Sequence, residues 1–392
     1  MDRVPRHLRQ LPELIRRTAA LALAAALGGC AGEPAAPAPA SPVVVSDGRY
    51  AMGTVLELTV AAEDEAAGRA AIAQAFAVAA AQERLLSNWD AGSELARLNA
   101  AAGRGPQRVD PELARVLAAS LALSRRTRGA FDVTVGPLVA LWRDAGARGR
   151  LPTAAERARA RAAVGAGAVS ADPEAGSAEI ARAGASIELG GIAKGWALDR
   201  MAEGLRAAGV SGALLSFGQS SLWAIGTPPG EPGWRLLVRD PAGGFAGVAT
   251  LRDRAVSVSG SVGQWTEIEG RRYGHVIDPR SGEPLVRAAQ AVVLAPDAAS
   301  AEAFSKALLV LPAAAGVALL EAEPGCDALL LEGDGRRYET SGWQAASRFE
   351  PAAAGARAEP AAREAGAGAG VPEGSSSRSS ERSAPASNEA SR

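Results

Sequence analysis

Apolar positions along the chain change their spacing several times, and each change predicts an element. Val43 to Val60 alternates through Tyr50, Met52, Val55, Leu56, Leu58 and Val60, which predicts one strand with Gly53-Thr54 in its middle. A glycine inside a strand marks close approach of another group. Glu63 to Leu86 places Ile72, Phe76, Ala79, Leu85 and Leu86 on roughly one side, the pattern of a long amphipathic helix, and ends in the polar turn Ser87-Asn88-Trp89-Asp90. Ser93 to Asn99 predicts a short helical turn. Pro111 to Arg126 predicts a second amphipathic helix, with proline in the first turn where its missing N–H is harmless. Gly129 to Leu138 reads as a loop passing into a buried apolar stretch that ends near Trp142, and Pro152 to Val164 as an exposed helix rich in Arg and Ala.

The second half of the chain changes to period two. Ala213–Phe217, Leu222–Ile225, Trp234–Val238, Gly247–Leu251, Val256–Val258, Gln264–Ile268 and Gly274–Ile277 form seven short apolar runs separated by turn residues. Their close spacing leaves no room for crossover helices and predicts an antiparallel sheet. Val292–Ala295 is another strand, Ala299–Leu311 a helix, and Ala328–Leu331 with Arg337–Thr340 a hairpin around Gly333-Asp334-Gly335. Helices followed by many strands, then a helix and a hairpin, make an α+β protein with a mostly antiparallel sheet and packed helices.

Between the halves lies Ile187 to Gly195, reading I-E-L-G-G-I-A-K-G. Ala185, Ile187 and Leu189 predict a strand that runs into Gly190-Gly191, followed by Lys194 and a helix from Trp196 to Arg206. Adjacent glycines let backbone N–H groups approach a ligand, and the positive end of the next helix favours an anion such as a phosphate or pyrophosphate. The same residues also suit a plain strand-to-helix turn with a solvated lysine. Neither the Walker A loop nor the G-x-G-x-x-G fingerprint is present. Trp89 is equally open, as a core plug or as a planar surface for a ring.

Composition narrows the function classes. With 392 residues, a formal net charge of −1 and 47% hydrophobic residues, the chain can bury a sizeable core and has no basic stripe for nucleic acid. The N-terminus carries Arg3, Arg6, Arg9, Arg16 and Arg17 before an apolar run from Thr18 to Leu27, too short to span a bilayer. Residues 1–29 therefore read as a secretory signal. Leu27-Gly28-Gly29-Cys30 resembles a bacterial lipobox, which implies a diacylated Cys30 and a membrane-anchored protein facing the periplasm; an ordinary signal peptide is the alternative. Residues 30–42 are an Ala/Pro-rich tether, 43–349 the folded domain, and 350–392 a tail with too few large apolar residues to fold. With Cys30 lipidated, Cys326 has no intramolecular partner.

Five ordered motifs share one family. Met52-Gly53-Thr54, the Leu86-to-Trp89 turn with Ser93-Glu94-Leu95 and Leu98-Asn99, Gly129-to-Thr134, Leu189-to-Gly195, and His275-to-Gly282 together resemble the bacterial FAD:protein FMN transferases, the ApbE family. The resemblance covers roughly Tyr50 to Ser341. It implies an α+β fold related to the T-fold, in a periplasmic lipoprotein that binds FAD and Mg²⁺. It also implies an activity: cutting the FAD pyrophosphate, joining FMN by a phosphoester to a threonine of a partner flavoprotein, and releasing AMP. Met52, Trp89, Ala130, Phe131, Asp132, Glu188, Lys194 and Ile277 fall on FAD-contact positions. Gly191, Glu302, Ser305 and Lys306 fall in the metal-site region. His275, the only histidine beyond the signal segment, opens its motif and suits proton transfer near neutral pH, or a structural hydrogen bond at a strand end.

The sequence also departs from the family pattern. Glu188 stands where Asp is usual, and Ser216-Phe217-Gly218-Gln219-Ser220 replaces Asn-x-Gly-Gly-Asp. Ser261 stands where an acid is frequent. Ala301-Glu302-Ala303-Phe304-Ser305-Lys306-Ala307-Leu308 replaces Ala-Asp-Ala-x-x-Thr-Ala-Leu, in which the acid and the threonine bind metal. An ammonium cannot ligate a cation, and Glu302 and Lys306 have the spacing of a helical ion pair. Mg²⁺ is thus doubtful, and a flavin-binding lipoprotein without turnover stands beside the transferase.

Overall fold

The computed structural model describes residues 42–261 and 265–352. Cys30, the signal segment, the tether up to residue 41 and the tail from residue 353 lie outside them. No helix among the described residues is long and apolar enough to cross a membrane.

Eight strands form the main sheet. In chain order they are β1 (Val43–Ala51), β2 (Thr54–Ala62), β6 (Gly212–Phe217), β7 (Ser221–Ile225), β10 (Arg254–Gly260), β13 (Ala289–Ala295), β14 (Asp327–Glu332) and β15 (Arg337–Glu339). They lie side by side in that order, and every neighbouring pair is antiparallel. Alternation sorts their side chains between two cores. Ala291 and Val293 face the helices, while Val292 and Leu294 face a small second sheet.

The helical face carries α1 (Glu65–Leu86), α6 (Ala193–Ala207) and α7 (Ala298–Val310). Ile72 and Phe76 of α1 and Leu198 and Met201 of α6 bury against Leu58, Leu215 and Phe217 of the sheet. α2 (Glu94–Ala100) and α3 (Pro111–Arg126) pack beyond them, with Leu95, Leu113 and Leu117 fully buried. On the opposite face, β8 (Trp234–Arg239) and β9 (Phe245–Leu251) pair with β16 (Glu350–Pro351), and Trp343 of α9 (Trp343–Ser347) fills the space between. A hairpin of β11 (Trp265–Ile268) and β12 (Arg271–Gly274) leans on α4 (Gly136–Arg148) through Trp142 and Ile268. The remaining elements are α5 (Ala154–Ala162), α8 (Ala313–Glu321), and a three-stranded sheet in the order β3 (Gln107–Arg108), β5 (Ser177–Ile180), β4 (Val169–Asp172).

Three expected strands differ in the structure, and one expected buried run is a helix. Val43 to Val60 is not one strand but a hairpin, because Met52 (φ 49°) and Gly53 (φ 80°) both adopt the positive φ that a two-residue type I′ turn requires. The stretch after Gly129 is a loop as far as Asp132 and enters a buried run, but that run is helical. Val133–Val135 form a 3-10 turn and α4 follows, with Pro137 in its first turn. Residues 185–189 pair with no strand, and Gly274–Ile277 is not a strand beyond Gly274, since Ile277 makes only an isolated bridge to Pro284.

Candidate functional site

The segment before the glycine pair is held by side chains instead of a neighbouring strand. Asn99 accepts from Ile187 N at 2.7 Å and donates to Ile187 O at 2.9 Å, and Asn88 donates to the same oxygen at 2.8 Å while accepting from Leu189 N at 3.1 Å. Glu188 N donates to Val133 O at 2.7 Å. A primary amide has both a donor and an acceptor, so each asparagine reproduces a rung of a β-ladder.

Trp89 is the residue after Asn88 and so adjoins this held segment. Trp89 is 79% exposed, which rules out the core-plug alternative. Arg143 of α4 lies over its ring, the guanidinium carbon 5.4 Å from the centroid. The Glu188 carboxyl is raised above its ordinary value by burial, while the Gly190 N–H, 2.8 Å from Oε1, and the Arg143 charge pull the other way. Phe131 reaches the same turn: a Cβ on Gly191 would lie 3.4 Å from its ring.

Past the turn, α6 begins without a side-chain cap. It crosses α7 so closely that a Cβ on Gly195 would lie 2.4 Å from Ala298 O. Asp199 fastens the crossing. Its Oδ1 accepts from Ala298 N at 2.7 Å and from Trp223 Nε1 at 2.8 Å, and its Oδ2 accepts from Ala299 N at 3.0 Å. Burial raises the Asp199 carboxyl to about 6 against these donors.

The crossing brings Glu302 of α7 to Lys194 of α6. Glu302 is fully buried; its Oε1 accepts from Ser221 Oγ and lies 3.9 Å from Lys194 Nζ, while its Oε2 lies 3.8 Å from Lys306 Nζ and has no hydrogen-bond partner. Burial opposes ionisation most strongly, yet Lys306, Lys194, Ser221 and the Gly195 N–H together hold the carboxyl below its ordinary value. The Lys306 ammonium is lowered to about 8, chiefly by burial, with Glu302 opposing and Lys194 assisting. The i,i+4 pairing of Glu302 and Lys306 is the one that their spacing predicts.

The other candidates take defined places. Ala130 and Phe131 are buried, and the carboxylate of Asp132 is occupied by its own loop, accepting from Thr134 N, Thr134 Oγ1 and Ala166 N. Met52 sits in the β1–β2 turn, its N–H donating to Glu83 at 3.0 Å. Ile277 packs on the Trp142 cluster, whose indole N–H donates to Gly282 O, and His275 is exposed just after β12. Arg143 and Ser221 were not singled out from sequence. Arg143 follows Trp142 at the end of an apolar run, and Ser221 follows the Gly218 turn, so each had only a neighbour as a signal.

The donors do not fit a divalent cation. The Ser305 hydroxyl is consumed: it donates to Glu302 O at 2.8 Å and sits 2.9 and 2.8 Å from the hydroxyls of Ser257 and Ser259. No group of three His, Cys, Asp or Glu among the described residues can hold a metal. An ion about 2.1 Å from Glu302 Oε2 would lie within about 6 Å of the Lys306 ammonium, a repulsion on the order of 5 kcal/mol at an effective dielectric near 20. Lys306 cannot replace the missing ligand, because it has no lone pair to give.

An exposed aromatic with a cation over it, and an uncapped helix start with two lysines beside a buried carboxylate, are joined by one glycine turn in an α+β protein. The family model for ApbE matches residues 52–330, and the chain belongs to the ApbE family. It is similar to the FAD:protein FMN transferase of Klebsiella pneumoniae, 31% identical over 303 residues, covering 75% of this chain and 86% of the relative. It is also similar to that of Treponema pallidum, 32% identical over 315 residues, covering 74% and 85%. Among solved structures, the ApbE protein of Thermotoga maritima superposes with a TM-score of 0.70 at 26% identity, over 78% of this chain and 100% of the other. The apo flavinyl transferase ApbE of Pseudomonas stutzeri gives 0.68 at 28%, over 79% and 98%.

Proposed function

We propose that this chain is an FAD:protein FMN transferase. A threonine hydroxyl of a partner flavoprotein attacks the FMN phosphorus of FAD. The new phosphoester bond forms as the bond to the other phosphate breaks, AMP leaves, and the hydroxyl proton passes to a base. The single observation that supports this reading most is that the segment held by Asn88, next to Trp89 with Arg143 over its ring, runs through the Gly190-Gly191 turn directly into the Lys194–Glu302–Lys306 cluster. The ring suits a flavin and the cluster a pyrophosphate. Mg²⁺ would supply charge stabilisation in such a reaction, but these residues do not fit it.

Incubation of the full chain with FAD and a domain carrying the acceptor threonine should raise the acceptor's intact mass by one FMN phosphoester and release AMP. FAD binding without any mass change would replace this reading with a second one, a flavin-binding lipoprotein without turnover, which Lys306 at a metal-ligand position favours. His275 is proposed as the base. His275→Asn should slow transfer by about tenfold or more with FAD affinity intact, and unchanged transfer would remove the role. We also propose that Cys30 carries lipid and holds the domain at a membrane facing the periplasm. Identical fractionation of wild type and Cys30→Ser would defeat that proposal.

A further inference from the structure

The cluster around Glu302 contains more positive than negative charge, and its geometry presents the two signs differently. The carboxylate is fully buried, whereas the Lys194 and Lys306 side chains keep 24% and 21% of their surface open. An anion that reaches this cluster approaches partly open lysine side chains, whereas the carboxylate is closed to solvent. The unpartnered Glu302 Oε2 has Lys306 only as an ionic neighbour at 3.8 Å, too long for a hydrogen bond, so the ammonium is attracted but keeps its N–H donors. The uncapped start of α6 adds positive potential from the same side.

Resting on the FAD reading above, we infer that Lys306, together with Lys194, stands in place of a divalent cation, so that this protein holds the FAD pyrophosphate with its own charge and needs no metal to do so. Glu302 then keeps two lysines in a low-dielectric site, where without it they would repel each other. Ser305 is locked into its serine trio and takes no part.

The full chain is titrated with FAD, followed by flavin fluorescence, in EDTA and again in millimolar Mg²⁺, and bound Mn²⁺ is counted by electron paramagnetic resonance. The two FAD affinities should agree within about twofold, with no stoichiometric Mn²⁺ on the protein. FAD binding that appears only with Mg²⁺, or one tightly held Mn²⁺ per chain, overturns the inference. No FAD binding in either buffer removes the FAD reading itself, a separate failure. Lys306→Met retains the stem and removes the charge, and it should weaken FAD binding in EDTA by about tenfold or more. Lys306→Thr should weaken it similarly and gain a Mn²⁺ site. Unchanged affinity in a folded Lys306→Met variant also overturns the inference, and if neither variant folds, the two wild-type measurements decide.

Discussion

Gly195→Ala tests the crossing on which the site depends. Alanine is the better helix former by about 1 kcal/mol, so on propensity alone the change stabilises α6. Packing predicts the opposite. The new Cβ would meet Ala298 O at 2.4 Å, Ala298 C at 2.6 Å and Ala299 N at 2.8 Å, all backbone atoms, whereas real Cβ contacts essentially never fall below 3.0 Å. The helices must part by at least roughly 0.6 Å, and overpacking of this kind costs about 1–3 kcal/mol. Parting them also strains the two N–H bonds from α7 to Asp199 and lengthens the reach from Lys194 to Glu302. Gly204→Ala is the control on the same helix, since its Cβ would find only Gln74 Nε2, at 3.9 Å. Urea unfolding should show Gly204→Ala more stable than wild type by about 0.5–1 kcal/mol, and Gly195→Ala less stable by about 1–2 kcal/mol net, with weaker FAD binding. If the two variants shift stability in the same direction and by the same amount, the close crossing is not a constraint and the reasoning fails.

Three further outcomes are expected. Trp89→Ala should leave unfolding within about 0.5 kcal/mol of wild type, because the ring is exposed, yet lose about 1–3 kcal/mol of FAD affinity from stacking, as read by titration; equal affinity would discard the ring platform. Asn99→Ala orphans the Ile187 N–H, while Asn88 still donates to the Ile187 oxygen, and should destabilise by about 1–3 kcal/mol in denaturant unfolding, with a near-neutral result refuting the ladder role. Because burial raises the Asp199 carboxyl to about 6 from 3.8, its contribution to stability is complete below pH 3.8 and is lost as pH rises through about 6. The stability difference between wild type and Asp199→Asn should therefore change on the order of 2–3 kcal/mol across that window, and a difference independent of pH would contradict the shift.

What could be read in advance depended on where the information lies. The helix from Pro111 to Arg126 and the runs of the main sheet carry their own period, so their positions follow from the residues themselves. The β1–β2 turn was hidden because Met52 adopts positive φ without being Gly, Asn or Asp. Ile187 and Leu189 alternate as a strand does, but their partners are asparagine side chains from two other elements, which no local pattern announces. β4 and β5 have four residues each, too few to show a period. Within the site, the Glu302–Lys306 pair follows from helical spacing, while Lys194 joins it through a helix crossing marked in the sequence only by Gly195. Arg143 was missed for the same reason, its ring partner lying on a distant turn.

The two asparagines also bear on how the cleft measures a ligand. Trp89 and the Gly190 turn belong to different parts of the chain, yet Asn88 ties them together through Ile187 and Leu189, so neither can slide without the other. On the proposed FAD reading, this tie limits how far the ring platform and the lysine cluster can move apart. A dinucleotide of matching length would then occupy both ends at once, the second contact being made at a high effective concentration set by the first. On that reading a mononucleotide or free flavin would reach one end only and forgo that gain, so discrimination by length would rest on a backbone segment held chiefly by asparagine side chains.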